Sequence, residues 1–445
     1  MSGEIHPQIT QMDTDSEVQE NNLRKSAKSV ARKGIGENWD MSAAKDIEFT
    51  QIAADWNSIT LGEENPQALL VIRNGLTTKQ DQGSGDYKVS RIETIGGGWI
   101  DETRVRFASD LNERDVEKYR IRKGDILFSH INSDPHLGKT GFAEKDYEDL
   151  LHGMNLLLIR ANPEVFEAEF LNRVFQYYRE IGVFISICSR SVNQSSINQA
   201  KLKAVEVPLP PLPEQKKIAQ ILSTVQRAIE EQERIIQTTT ELKKALMQKL
   251  FTEGLRNEPQ KQTRIGLVPE SWKVVPFDKF VTLQRGYDLR KQDFREGSVP
   301  VIGATQVIGY HDTANVKAPG VTVVRSGSSA GKSLFIAEDF WAHNVLLYVK
   351  DFQGNAPKFV YYKILALDLT QYRQGVAVPT LNRNTFSSIE LALPSPKEQQ
   401  EIANALDAVG NRTGIAERQK TQLQHLFRTL LHQLMTAQIR QQSIN

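Results

Sequence analysis

Residues 206–256 read EVPLPPLPEQKKIAQILSTVQRAIEEQERIIQTTTELKKALMQKLFTEGLR, and 184 residues later, at 390–440, comes ELALPSPKEQQEIANALDAVGNRTGIAERQKTQLQHLFRTLLHQLMTAQIR. The two align without a gap and share 16 of 51 positions, among them Pro210/Pro394, Glu214/Glu398, Gln215/Gln399, Leu222/Leu406, Leu246/Leu430 and Arg256/Arg440. Unrelated segments of ordinary composition would share only about three. The chain is therefore built from two copies of one unit, and a repeat of this kind governs the fold.

Each copy predicts a long helix. A 4-3-4-3 walk in the first visits Ile218, Leu222, Val225, Ile229, Gln232, Ile236, Thr239, Lys243, Leu246 and Leu250, seven of them apolar. The same walk in the second visits Ile402, Leu406, Val409, Thr413, Ala416, Lys420, Leu423, Phe427, Leu430 and Leu434, eight of them apolar. That spacing is a coiled-coil seam. Ile218, Leu222, Val225, Leu246 and Leu250 are expected to pack with Ile402, Leu406, Val409, Leu430 and Leu434. Ile221, Ala228, Ile235 and Leu242 widen the apolar face of the first helix. Ser395-Pro396-Lys397-Glu398 fits a capping box, with Glu398 reaching back to the start of its own helix. The first copy has Pro211 in place of the serine. Gly410 and Gly414 predict a kink or a close crossing near Val409–Ile415.

The segments before the helices differ in texture. Short apolar runs at 68–72, 125–128, 156–159, 321–324 and 345–349 are broken by turns, and each segment ends in a helix-like stretch, 170–181 and 358–369. This is a mixed α/β pattern. The expected fold is α+β: two α/β globules joined by two long helices, with pseudo-two-fold character. The boundaries are a polar extension at 1–55, a first globule at 56–207, a long helix at 208–256, a polar linker at 257–268, a second globule at 269–393, a second long helix at 394–440 and a tail at 441–445.

Across 445 residues, 55 Lys and Arg offset 54 Asp and Glu, for a net charge of +1. A uniformly basic nucleic-acid coat is excluded, but a local basic face is not. The single cysteine, Cys188, rules out an intrachain disulfide and fits a reducing cytoplasm. No apolar run reaches 18 residues, and MSGEIHPQITQMDTD has no basic-then-apolar pattern, so neither a membrane span nor a signal peptide is expected.

Catalytic and nucleotide motifs are weak. Ser326–Ser333, SGSSAGKS, has serine where a P-loop needs glycine, and no helical pattern follows it, so a turn is expected. The histidines lack metal-ligand spacing, and no metal is expected. The only adjacent prolines are Pro210-Pro211, so the Asn/Asp-Pro-Pro-Tyr/Phe signature of an adenine methyltransferase is missing. No catalytic residue is assigned.

VPLPPLPEQKKIAQIL and LALPSPKEQQEIANAL, with the endings LKKALMQKLFTEGLR and LFRTLLHQLMTAQIR, resemble the conserved regions of type I restriction-modification specificity subunits. KGDILFSHINSDPHLGKTGFA at 123–143 and VPESWKVVPF at 268–277 resemble the same family. The resemblance implies that each globule is a target-recognition domain reading half of a bipartite, asymmetric site on double-stranded DNA. It implies that the two long helices pack antiparallel and fix the spacing between half-sites. The partners it implies are two modification (methyltransferase) subunits and two restriction (endonuclease and translocase) subunits. Those partners would use S-adenosylmethionine, ATP and magnesium, while this bacterial or archaeal, cytoplasmic chain would bind no cofactor itself and catalyse nothing.

Base edges are read by Arg, Lys, Asn, Gln and hydroxyl side chains. The candidates in the first globule are Arg73, Lys79, Lys88, Arg91, Ser129, Asn132, Lys139, Arg190 and Asn193. In the second they are Arg285, Tyr287, Arg290, Arg325, Ser328, Lys332, Arg373 and Gln374. The repeat and the helices alone also admit a coiled-coil scaffold with two globular protein-binding domains and no DNA.

Overall fold

A computed structural model describes residues 56–62, 67–96, 98–191, 194–375, 378–387 and 389–439. The extension at 1–55, the tail at 441–445 and the candidate Asn193 lie outside them. Four helices organise the chain: α1 (Ala168–Glu180), α2 (Leu212–Thr252, 41 residues), α3 (Pro357–Ala366) and α4 (Pro396–Met435, 40 residues). The chain divides into two compact units. One comprises Met1–Ile229 with Gln422–Asn445, the other Glu230–Thr421. Both boundaries fall inside the long helices, because the start of each long helix packs beside the end of the other.

In the first unit a four-stranded antiparallel sheet runs Leu69–Asn74, Leu156–Ala161, Asp125–Ser129, Thr140–Phe142. A three-stranded sheet runs Arg106–Ala108, Tyr87–Val89, Leu150–Leu151, its last pair parallel. Asn57–Thr60 pairs with Glu206–Leu209, so the strand that leads into α2 closes the globule on its first strand.

The second unit repeats this. Its four-stranded sheet runs Thr282–Arg285, Leu346–Asp351, Gly320–Val324, Ser333–Ile336. Its three-stranded sheet runs Gln306–His311, Val299–Gly303, Trp341–Ala342, again with a parallel last pair. Lys273–Pro276 pairs with Glu390–Leu393, the strand that leads into α4. Order and sense agree strand for strand, although the two globules share little sequence. The segment read as a linker carries a hairpin, Gln260–Thr263 with Gly266–Pro269, turned at Gly266 with φ 102°.

The seam holds. All twenty positions of the two walks are buried or half-buried, while Leu242, Ile415 and Leu426 stand exposed beside it. In the first unit Ile218, Ala219 and Leu222 share a core with Leu431, Leu434 and Met435. In the second, Leu250 and Phe251 share one with Ile402, Ala403 and Leu406. Each unit thus shows the antiparallel pairing directly. Helix α4 runs unbroken through Gly410 and Gly414. The close approach predicted there is made by a side chain: a Cβ on Gly410 would lie 3.3 Å from Lys243 Nζ.

The glutamines of the two PEQ/KEQ starts are buried and make matched contacts. Gln215 Oε1 accepts from Glu167 N (2.9 Å), and its Nε2 donates to Val165 O (3.1 Å) and Pro210 O (2.9 Å). Gln399 Oε1 accepts from Ala356 N (2.9 Å), and its Nε2 donates to Asn355 Oδ1 (2.7 Å) and Pro394 O (3.2 Å). Glu167 and Ala356 are the N-cap residues of α1 and α3, and neither caps with its own side chain. A helix start leaves N–H groups without partners, and the glutamine of the long helix supplies the missing acceptor.

The capping box is only half realised. Ser395 Oγ accepts from Glu398 N at 3.4 Å. The Glu398 carboxylate does not reach back. It accepts from Leu255 N (3.1 Å) and lies 3.7 Å from Arg256 Nε, beyond the end of α2. Glu398 is buried, and a buried carboxylate is better held by a guanidinium and a free N–H than by its own helix start.

Replacing Gln399 by Ala strands the Ala356 N–H and two acceptors in a dry site. The expected loss is about 3 kcal/mol. That corresponds to a melting point roughly 6–12 °C lower for a unit of this size, read by thermal melting of the full chain. A shift within about 1 °C would show that the amide does not anchor the helix.

Candidate nucleic-acid interface

The same end of the four-stranded sheet is built alike in both units. In the first, Ser129 N donates to Lys139 O (2.8 Å) and Gly138 N to Ser129 O (2.9 Å), closing the turn at 130–139. In the second, Val324 N donates to Lys332 O (2.8 Å) and Gly331 N to Val324 O (2.8 Å), closing the turn at 325–332. Gly138 and Gly331 take φ of 72° and 90°, where a side chain is strained. Gly138-Lys139-Thr140 and Gly331-Lys332-Ser333 are thus one turn made twice. The P-loop-like stretch joins two antiparallel strands, as a turn, and opens no helix.

Two further features recur at this end. A Cβ on Gly75 would fall 1.8 Å from Gly153 O, and one on Gly286 would fall 2.2 Å from His343 O, so both must be glycine for the strands to meet. A returning segment covers each turn. Ser189–Ser191 and Gln194–Ser196 form a hairpin against Ile131–Asn132, and Ile197 N donates to His130 O (2.8 Å). In the second unit Thr380 bridges Gln374 and Ser326, and Leu381 N donates to Arg325 O (2.7 Å).

These features gather part of the candidate set. The first unit brings together Asn132, Lys139 and Arg190. The second brings together Arg285, Tyr287, Arg325, Ser328, Lys332, Arg373 and Gln374. Arg190 is exposed and lies 3.6 Å from Asp134. Ser328 and Lys332 are exposed on the turn. Arg373 Nε donates to Ala330 O (2.6 Å), bracing the turn from behind. The exposed Tyr287 accepts from Gln284 Nε2 through its hydroxyl (2.6 Å). Arg285 Nε and Arg325 Nε each lie 3.4 Å from Asn344 O.

The other candidates have protein partners or lie apart. Ser129 is fully buried and accepts from Asn132 Nδ2 (3.1 Å). Lys88 pairs with Glu102 (3.1 Å) and Asp149 (3.0 Å), and Arg91 donates to Gln80 Oε1 (2.9 Å). Arg290 holds Asp293 through two bonds (2.7 and 3.2 Å). Arg73 donates to Lys118 O and lines an open groove with Lys203. Lys79 is exposed in a loop.

Arg179, from the end of α1, was not among the candidates. Its Nη2 donates to Pro135 O (2.8 Å), inside the first turn. Burial, and then Arg179, lower the Lys139 pKa, and Lys139 is the first cause of a lowered His136 pKa. Two cationic groups, Lys139 and Arg179, therefore converge on this turn, beside an imidazole held toward its neutral form. In the second unit burial, and then Arg285, lower the Arg325 pKa. Asn344, whose carbonyl gathers both arginines, was likewise missed.

His130, which opens the first turn, and His152 are neutral groups, burial pushing them down to about 4 and about 3. His152 Nε2 bonds Leu156 O (3.0 Å).

The family model for the type I restriction modification DNA specificity domain matches residues 55–239 and 269–425. The type I restriction enzyme MjaX specificity subunit of Methanocaldococcus jannaschii is 33% identical over 426 residues, covering 89% of this chain and 96% of that protein. The MjaVIII specificity subunit of the same organism is 23% identical over 291 residues, 59% of this chain and 68% of its own length. The crystal structure of a type I restriction-modification S subunit from M. genitalium shares the fold, with a TM-score of 0.62 at 16% identity, covering 85% of this chain and 96% of that one.

A histidine whose folded pKa is depressed contributes stability that is complete above its unfolded value near 6.5 and is lost as pH falls toward the folded value. Between pH 6.5 and pH 5, His152 alone should cost the first unit about 2 kcal/mol. Thermal melting of the full chain at pH 7 and pH 5 should show this loss, and His152→Gln should make the pH dependence shallower. An identical pH profile in the variant would exclude His152 as its source.

Proposed function

The chain belongs to the type I restriction-modification DNA specificity subunits, and we propose that it reads a bipartite, asymmetric site, one half through the sheet end of each unit. It is the non-catalytic DNA-specificity component, which excludes the reading as a scaffold without DNA. The target-recognition domains are assigned to 56–207 and 269–393. The supporting observation is the doubled Gly-Lys turn. The backbone frame is the same in both units, while the side chains set on it differ. Register places Asn74 opposite Leu157 where Arg285 stands opposite Leu347. The residue after the middle strand is His130 in one unit and Arg325 in the other. One frame carrying two chemistries suits two different half-sites.

In this reading Asn132, Lys139 and Arg190 face one half-site. Arg285, Tyr287, Arg325, Ser328, Lys332 and Gln374 face the other. Two modification subunits methylate adenine from S-adenosylmethionine, and two restriction subunits use ATP and magnesium. The assembly works on cytoplasmic DNA. Among the described residues no helix is long and apolar enough to cross a membrane.

Exchanging residues 269–393 for the matching segment of a relative should change one half of the methylated sequence and leave the other intact. Sequencing of methylated adenines in the host reads this out, and a change in both halves or in neither would refute the two-reader scheme. Lys139→Gln and Lys332→Gln should each weaken binding to duplex DNA about 3–10-fold and reduce the slope of log affinity against log salt by roughly one. Titrations at several salt concentrations measure both quantities.

A further inference from the structure

We infer that Arg285 and Arg325 together clamp a single DNA backbone phosphate, and so place the duplex on the second unit without reading a base. The inference rests on the reading of this face as a DNA contact. As a sequence, both arginines belong with the base-edge readers. Their geometry sets them apart. Each uses its Nε to reach the same oxygen, Asn344 O, at 3.4 Å. One carbonyl thus draws two positive charges to one place. Among the described residues their Nη groups have no partner, so the donor ends of both forks remain available.

Among the described residues no carboxylate pairs with either arginine. The neighbouring Asp288 accepts from Asn344 Nδ2 (2.6 Å) and lies 3.8 Å from His343 Nε2, and it pairs with neither arginine. The pair is also set in rigid backbone. Arg285 ends a strand in register with Leu347, while Arg325 N donates to Val345 O (2.7 Å) and its carbonyl accepts from Leu381 N (2.7 Å).

The ligand must then satisfy two converging forks and two unbalanced charges. A guanine edge offers O6 and N7, enough for one fork, and carries no net charge. A phosphate carries a full negative charge, and its oxygens accept from several directions. The lowering of the Arg325 pKa, by burial first and Arg285 next, agrees with a cation pair that lacks its anion. At the matching positions of the first unit stand Asn74 and the neutral His130, which form no such pair.

The test uses the full chain with its modification subunit. Two duplexes of equal length, one with the recognised site and one without, are titrated at several salt concentrations. Arg325→Gln and Arg285→Gln should each weaken both duplexes by the same factor, about 3–10-fold. The double variant should lower the salt slope by about one, the value for one phosphate, and not by two. Arg325→Lys keeps the charge with little disturbance of the fold, and should stay within about threefold of wild type with an unchanged methylated sequence. A loss confined to the duplex with the site, a changed base in the methylome, or an unchanged slope in the double variant would overturn the clamp. Lys332→Gln separates the two levels of the argument. If it weakens binding while the arginine variants do not, the clamp fails and the face stands. If none of the variants alters binding to either duplex, the face reading fails and the clamp with it.

Discussion

A side-chain amide sealed from water must find all its hydrogen bonds inside the protein, because leaving one unmade costs about 1–3 kcal/mol. Gln215 and Gln399 meet that demand with the same three kinds of partner: the N–H that opens the globule's own helix, a group just before it, and a carbonyl of the incoming proline run. The angle at which each long helix leaves its globule is fixed there. The strand before each proline run is paired to the first strand of the same globule, so chain entry and exit are tied at one point. Everything downstream inherits this constraint. Neither helix could rotate about its axis without stranding buried donors, and the seam therefore faces inward from its first turn.

A fixed frame allows the contact face to vary without endangering the fold. The parts that recur between the units are backbone requirements: glycines at positive φ, glycines where strands touch, and hydrogen bonds between main-chain atoms. The parts that differ are side chains at the rim. Near-zero net charge is compatible with DNA binding on this plan, because the cationic groups are concentrated. Lys139 and Arg179 meet at one turn, and Arg285 and Arg325 share one carbonyl. Burial first, and mutual repulsion second, lower the pKa of Lys139 and of Arg325, and an anionic ligand offsets both.

The helices were legible in the sequence because their repeat keeps one offset, 184, over 51 positions, and because the 4-3 spacing needs no partner to be recognised. The globules were not. Matched residues drift from an offset of 184 at Ile197/Leu381 to 190 at Leu157/Leu347, 193 at Lys139/Lys332 and 211 at Gly75/Gly286. Surface loops change length at little thermodynamic cost, so an ungapped comparison loses the register within one strand. Glu398 failed for a different reason. The capping box is a local pattern, whereas the groups that win its carboxylate, Leu255 N and Arg256, lie more than 140 residues away in sequence. The candidate face was legible only as a list of residue types: Arg285 and Arg325 stood in it as separate candidates, and only the fold shows that they meet on Asn344.

The polar residues inside the seam of the second unit follow from the need for a single register. Leu and Ile alone would let antiparallel helices slide by one heptad with similar burial. Thr413 Oγ1 donates to Thr239 Oγ1 (2.9 Å), which donates in turn to Ile235 O (2.7 Å), and Lys420 pairs with Glu233 (2.7 Å). A slip of seven residues would part both pairs and leave Thr239, which is buried, without its donor. A half-buried pair at the edge of a seam, such as Lys420–Glu233, adds about 1 kcal/mol, so these contacts contribute little to stability. Their effect is on the alternatives: Thr239 keeps its bond to Ile235 O in any register, but a slipped register loses both interhelical pairs. Lys243 acts similarly from the flank. Its ammonium lies 5.1 Å from the ring centre of Tyr362, and a Cβ on Gly410 would come within 3.3 Å of it. Gly410, which weakens the helix as a propensity, leaves the Lys243 ammonium its place against α4.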